Sequence, residues 1–191
     1  EDSVQTNYSL VKNIEELDQL IDQLRAAGKF ALHIVTDVPS AMRAHLIGVA
    51  CSISNCQARY IPLTPETKPG SEDLLAQQPN KIDQGIALAR FKPLLEDNAI
   101  QKVGHDLKFD TVVLERHGIH LAGISFDSML ASYLLDARAK HSLEDISLEY
   151  LGYKALTEED VRGSGARAIP FNQLTPDAVL RFVSERADLA L

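Results

Sequence analysis

Between Asn13 and Gly28 the apolar side chains recur as Ile14, Leu17, Leu20, Ile21 and Leu24. Steps of three and four put them on one face of a helix. Asn13 offers a side-chain oxygen to the free N–H groups at the start, and Gly28 provides a stop, so the spacing predicts an amphipathic helix over 13–27. The next run, Lys-Phe-Ala-Leu-His-Ile-Val-Thr over 29–36, is apolar at nearly every position and too short for a buried helix. It reads as a buried strand. Two further apolar, β-branched runs, 45–54 and 57–62, are separated by a short turn at Asn55. Together the three runs predict an antiparallel meander.

Residues 64–82 are rich in Pro, Gly, Glu and Gln and predict a surface loop. A helix is expected at 83–97, a short strand at Gln101–Gly104, and a helix at 106–117 with Asp106 as N-cap and Gly118 as terminator. Asp127 is placed to cap a helix over 128–136. Ser142 is placed to cap another, with Glu144 and Asp145 in its first turn. A polar stretch with Gly163, Gly165 and Pro170 leads to a last helix beginning near Thr175-Pro176. No internal repeat is visible. Three strands followed by a strand alternating with helices predict an α/β domain with a mixed sheet.

Composition narrows the function classes. A chain of 191 residues, 45% of them hydrophobic, is large enough for one domain over 1–191 with its own core. The formal net charge of −8 argues against a generic basic nucleic-acid binder, although a local basic patch can still grip a phosphate backbone. Cys51 and Cys56 are too few and too close for a disulfide framework or a zinc site, and read as the reduced thiols of a cytoplasmic protein. No apolar run approaches the roughly 20 residues of a membrane span, so no membrane partner is expected. The N-terminus does not resemble a signal peptide, and the chain stops inside a helical pattern, as if taken from something longer.

Three segments carry a resemblance. They are Gln101-Lys-Val-Gly-His-Asp-Leu-Lys-Phe-Asp-Thr-Val-Val-Leu114, Phe126-Asp-Ser-Met-Leu-Ala-Ser-Tyr-Leu-Leu135, and the Lys140-His141-Ser-Leu stretch behind it. With Lys92-Pro-Leu-Leu-Glu-Asp97 and Pro170-Phe-Asn-Gln173, they resemble, in order and spacing, the 3′→5′ proofreading exonuclease domain of bacterial DNA polymerase I, a family A DNA polymerase. The resemblance runs from about Tyr8 to Leu191. It implies an RNase-H-like fold, DNA replication or repair as the setting, a polymerase domain of the same chain as partner, and the single-stranded 3′ end of DNA as a weakly held second partner. It also implies hydrolysis by two Mg²⁺ or Mn²⁺ ions held by four carboxylates.

The motifs that should supply those carboxylates depart from the pattern. The family's first strand reads Phe-Ala-Phe-Asp-Thr-Glu-Thr-Asp. Here His33 and Val35 stand at its two metal acids. On the last helix Phe182 replaces a water-orienting tyrosine and Arg186 replaces the final metal acid, while Asp110 is the one retained acid. The positions of a DNA-end wedge and a base-stacking aromatic fall on Pro39 and Glu158. His105, Lys108, Lys140 and His141 remain as candidate nucleic-acid contacts. A valine offers no lone pair and an arginine repels a dication, so no metal cofactor is expected. Arg186 is expected to pair with Asp110.

Plainer readings stand beside these. His33 on an apolar strand is a core histidine or, with Asp110 and His105, a weak transition-metal ligand. Phe182 is core packing, Glu158-Glu159-Asp160 a solvated acidic helix start, and Lys108, Lys140 and His141 a solvated basic face. Asp37 and Asp188 would reach the metal position only through a register shift. The leading expectation is a catalytically inactive exonuclease-like domain serving as a structural or DNA-associated platform. The alternatives are an active metal-dependent 3′→5′ exonuclease rebuilt around Asp110, and a repurposed binding module.

Overall fold

The computed structural model describes residues 5–64 and 80–191. The loop predicted over 64–82 therefore lies largely outside the described residues. Among the described residues, seven strands and seven α-helices follow one another as β1 (Asn7–Leu10), α1 (Ile14–Ala27), β2 (Lys29–Thr36), β3 (Leu46–Ser54), β4 (Gln57–Thr64), β5 (Ile82–Asp83), α2 (Gln84–Leu95), β6 (Gln101–Gly104), α3 (Leu107–Arg116), β7 (Ile124–Asp127), α4 (Ser128–Leu135), α5 (Leu143–Leu151), α6 (Glu158–Arg162) and α7 (Pro176–Asp188). The caps act as the sequence predicts: the Asn13 carboxamide accepts from the Glu16 N–H at 2.9 Å, and Gly28 closes α1 at φ 68°.

The sheet runs β1-β4-β3-β2-β6-β7. β2, β3 and β4 form the expected antiparallel meander, and β6 and β7 extend it in parallel. The mixed α/β class predicted from the sequence is the class found. Three short strands were not predicted: β1 and β5, which share the outer edge of β4, and β7 at the opposite edge. Each has four residues or fewer, too few to show the alternation that marks a strand.

Strand β2 explains why its sequence is apolar on both sides. Phe30, Leu32 and Ile34 face the layer made by α1 and α2. Ala31 and Val35 face the opposite layer, where α7 packs through Val179, Phe182, Val183 and Ala187. By the two-residue period of a strand, His33 points to the α7 side. This places a polar ring at the junction of β2 and α7, where the site forms.

Candidate functional site

A cleft of about 400 Å³ opens where the ends of β2, α3, α5 and α7 meet. Its walls contain His33 and Val35 from β2, His105 and Asp110 around the start of α3, and Phe182 and Arg186 from α7. Pro39, Glu158 and Asp37 also line it. Nine positions marked from sequence, spread over more than 150 residues, are thus brought to one place. Lys108 and Lys140 are exposed and do not line the cleft. His141 lies outside it too: its Nδ1 meets the Ser132 hydroxyl at 2.8 Å and its ring stacks on Tyr133 with centroids 3.6 Å apart.

Local chain geometry aims α3 into the cleft. At Gly104, the last residue of β6, an added Cβ would lie 2.9 Å from the Leu32 carbonyl oxygen, so only glycine lets β6 pass this close to β2. Asp106 then turns through left-handed backbone, φ 59°, and its carboxylate accepts from the Phe109 N–H at 3.3 Å. Asp127 holds the same corner from the other side. It accepts from the Leu107 N–H at 2.7 Å and from the Met129 N–H at 2.9 Å, and so caps α3 and α4 together. Sequence reasoning found only the α4 half of this, because a cap across 20 residues leaves no local pattern.

Asp110 is 2% exposed, and its Oδ2 accepts from the Ile34 N–H at 3.4 Å. Burial raises its pKa well above the ordinary carboxylate range. The Ile34 hydrogen bond pulls the other way, and the Asp106 and Asp127 carboxylates add to the rise. A raised acid contributes its full stability below its unfolded pKa and loses it as pH climbs toward the folded value. Asp110→Asn is therefore expected to gain stability on the parent as pH rises from about 4 toward neutrality. Urea titrations at pH 4 and pH 7.5 check this; an equal difference at both values would refute it.

His33 is shifted the opposite way. Burial lowers its pKa to about 3, with the positive field of Arg186 and the neighbouring His105 adding to the shift. Its ring is neutral at ordinary pH. His105 is also lowered, chiefly by burial, and its Nδ1 meets the Ser128 hydroxyl at 2.9 Å.

The expected Arg186–Asp110 ion pair is not formed. Arg186 pairs with Glu144, in the first turn of α5, and its guanidinium carbon stands 4.6 Å above the centre of the Phe182 ring. The physical reason is that Asp110 is 2% exposed, tied to the Ile34 N–H and pushed by burial toward its neutral form, whereas Glu144 stands in the cleft wall with its side chain 26% exposed. A guanidinium gains more from a partly solvated carboxylate and an aromatic face than from a deeply buried acid pushed toward its neutral form. Phe182, 7% exposed and packed against Phe171 at 5.9 Å, is both core and a platform for Arg186. Glu158 is paired with Arg162 within its own helix, and Thr157 and Asp160 form a capping box at the start of α6.

The remaining nearby acids are committed elsewhere. Asp37 accepts from the His45 N–H at 2.7 Å and meets His45 Nδ1 at 2.8 Å. Burial alone would raise its pKa, and these contacts hold it below the usual value. Asp188 accepts from the Tyr8 hydroxyl at 2.7 Å and the Cys56 N–H at 2.8 Å, which ties α7 to β1 and to the β3–β4 turn. No register shift brings either acid to the centre.

This donor set does not fit a pair of hard dications. Val35 and Phe182 supply no donor atom, His33 supplies a nitrogen, and Asp110 is pushed toward its neutral form. Arg186 offers no lone pair and takes up the Glu144 carboxylate in an ion pair. Among the described residues no three His, Cys, Asp or Glu side chains converge to hold a metal ion.

The 3′-5′ exonuclease family model matches residues 8–180. DNA polymerase I of Rhizobium leguminosarum is 34% identical over 96% of this chain and 19% of its own length. DNA polymerase I of Pseudomonas aeruginosa is 30% identical over 98% of this chain and 20% of its own. The chain thus spans about one fifth of the curated relatives it matches. Among solved structures, Trypanosoma brucei RNase D in complex with RNA U12 superposes with a TM-score of 0.71 over 98% of this chain and 61% of that one, at 14% identity, a likeness of fold. No helix of the described residues is long and apolar enough to cross a membrane.

Proposed function

Because the chain belongs to the 3′→5′ exonuclease family of DNA polymerase I, we propose that it is a proofreading domain that no longer hydrolyses DNA. It serves as a structural and DNA-associated platform beside the polymerase region of its own polypeptide, in replication or repair. The observation that carries this reading is the Arg186–Glu144 pair seated on Phe182. A fixed internal cation, already neutralised by its own carboxylate, occupies the wall where a hydrolytic centre needs acids for metal. Asp110, the one retained acid, is deeply buried and pushed toward its neutral form.

What the cleft residues do on this reading is hold the domain together. Asp110 bridges α3 to β2, Arg186 bridges α7 to α5, and His33 fills the gap between them as a neutral ring. Residual contact with a 3′ end falls to exposed Lys108 and Lys140 and to His105 in the cleft. Two lysines and a neutral imidazole give weak, strongly salt-dependent binding.

The test is excision. A 5′-labelled single-stranded oligonucleotide is incubated with excess protein in Mg²⁺ and then in Mn²⁺, beside Asp110→Ala. The expected result is no shortening beyond that of Asp110→Ala in either metal. Shortening that disappears in Asp110→Ala would establish instead an active exonuclease rebuilt around Asp110.

A further inference from the structure

Helix α4 has an inverted pattern for a surface helix. Its sequence, Ser-Met-Leu-Ala-Ser-Tyr-Leu-Leu, carries no charge, and its one buried residue is Ser132. Leu130, Tyr133, Leu134 and Leu135 are 56%, 50%, 88% and 71% exposed. Helix α5, which touches α4, continues the inversion: Ser147 is buried, while Leu148, Tyr150 and Leu151 are more than half exposed. Beside them runs β7, an edge strand with Ile124 and Phe126 turned outward. Single exposed leucines are ordinary on a protein surface. Seven large apolar side chains on two touching helices are not.

We propose that the exposed face of α4 and α5 is the seat of a permanent neighbour, the polymerase region of the same polypeptide. The proposal rests on the reading above, that this chain is part of a DNA polymerase I. Three observations select that occupant. The face is large: at roughly 150–250 Å² for a whole large side chain, seven that are half exposed or more present on the order of 800 Å², one side of a standard stable interface. Its chemistry is that of an obligate contact, an uncharged aliphatic and aromatic centre with Asp136, Arg138, Lys140 and Glu149 around it. A partner that came and went would leave this face wet and prone to aggregation, whereas a tethered neighbour stays at high effective concentration. The relatives, about five times longer than this chain, contain such a neighbour in one polypeptide. None of the seven residues lines the cleft, so an occupied face leaves the cleft open.

Hydrogen exchange tests this on unsubstituted proteins. Amides of Ser128–Leu135 and Leu143–Leu151 are compared in the 191-residue chain and in the full-length protein that contains it. Roughly ten-fold slower exchange in the full-length protein is expected across both helices. Equal exchange in the two proteins would overturn the proposal. As a second arm, Leu134→Lys with Leu148→Lys in the full-length protein is expected to erase that protection while leaving the melting temperature of the 191-residue chain unchanged. A 191-residue chain that sediments as a dimer, which the same two lysines convert to monomer, with no added protection in the full-length protein, would assign the face to a second copy and sink the proposal. The excision assay reads the cleft and the exchange experiment reads the helices, so either reading fails without the other.

Discussion

Glu185→Ala is expected to destabilise the chain by about 3 kcal/mol, one of the largest effects of any single polar substitution in it. Glu185 lies in α7, is 2% exposed, and serves three donors at once: the Tyr153 hydroxyl at 2.7 Å, the Leu156 N–H at 2.9 Å and Arg181 Nε at 3.1 Å. Alanine removes the acceptor of the part-buried Leu156 N–H and Tyr153 hydroxyl, the latter keeping only Arg181 Nη2 at 3.4 Å, at about 1–3 kcal/mol for each group left unsatisfied. Arg181, with its side chain 66% exposed, regains water and adds little. The loss falls on the connection from α5 to α6, which reaches α7 through this carboxylate. Glu185→Gln keeps one acceptor oxygen and is expected to lose about half as much. Denaturant unfolding measures both, and a loss below about 1 kcal/mol for the alanine variant would show that the connection is held by something else.

His33→Leu is expected to remove much of the chain's sensitivity to mild acid. The histidine is neutral in the folded state with a pKa near 3, and an unfolded chain binds its proton near 6.5. A depressed group contributes stability that is complete above the unfolded value and lost as pH falls through the folded one. Between pH 6.5 and 3 the parent should therefore lose about 2–3 kcal/mol that the leucine variant keeps, a figure reduced by about half because the ring still reaches the cleft. Carboxylates titrate in both proteins, so the quantity to read is the difference between them at each pH. A difference that stays constant from pH 7 to pH 4 would mean that His33 is already hydrated in the folded chain.

Helix α1, the meander, the caps at Asn13, Asp106, Asp127 and Ser142, and the Pro176 start of α7 were legible, because periodicity and capping are local. So was the gathering of His33, Val35, Asp110, Phe182 and Arg186, through motif order. Glu185 was not legible, since an acid in the middle of an amphipathic helix reads as solvated until the partner loop is known to fold over it. Nor was the partner of Arg186: charge matching named Asp110, and only the burial of Asp110 against the Ile34 N–H decided for Glu144. The short strands β1, β5 and β7 are fixed by edge pairing with β4 and β6 rather than by any pattern of their own.

The bond from the Tyr8 hydroxyl to Asp188 joins positions 180 residues apart. A path that leaves and returns at one pole makes the unit a cassette. Within a longer polypeptide, everything between those two residues can drift in sequence, gain a loop or lose its chemistry, while the incoming and outgoing segments stay side by side. A change in the cleft of such a cassette leaves the pairing of its two ends untouched.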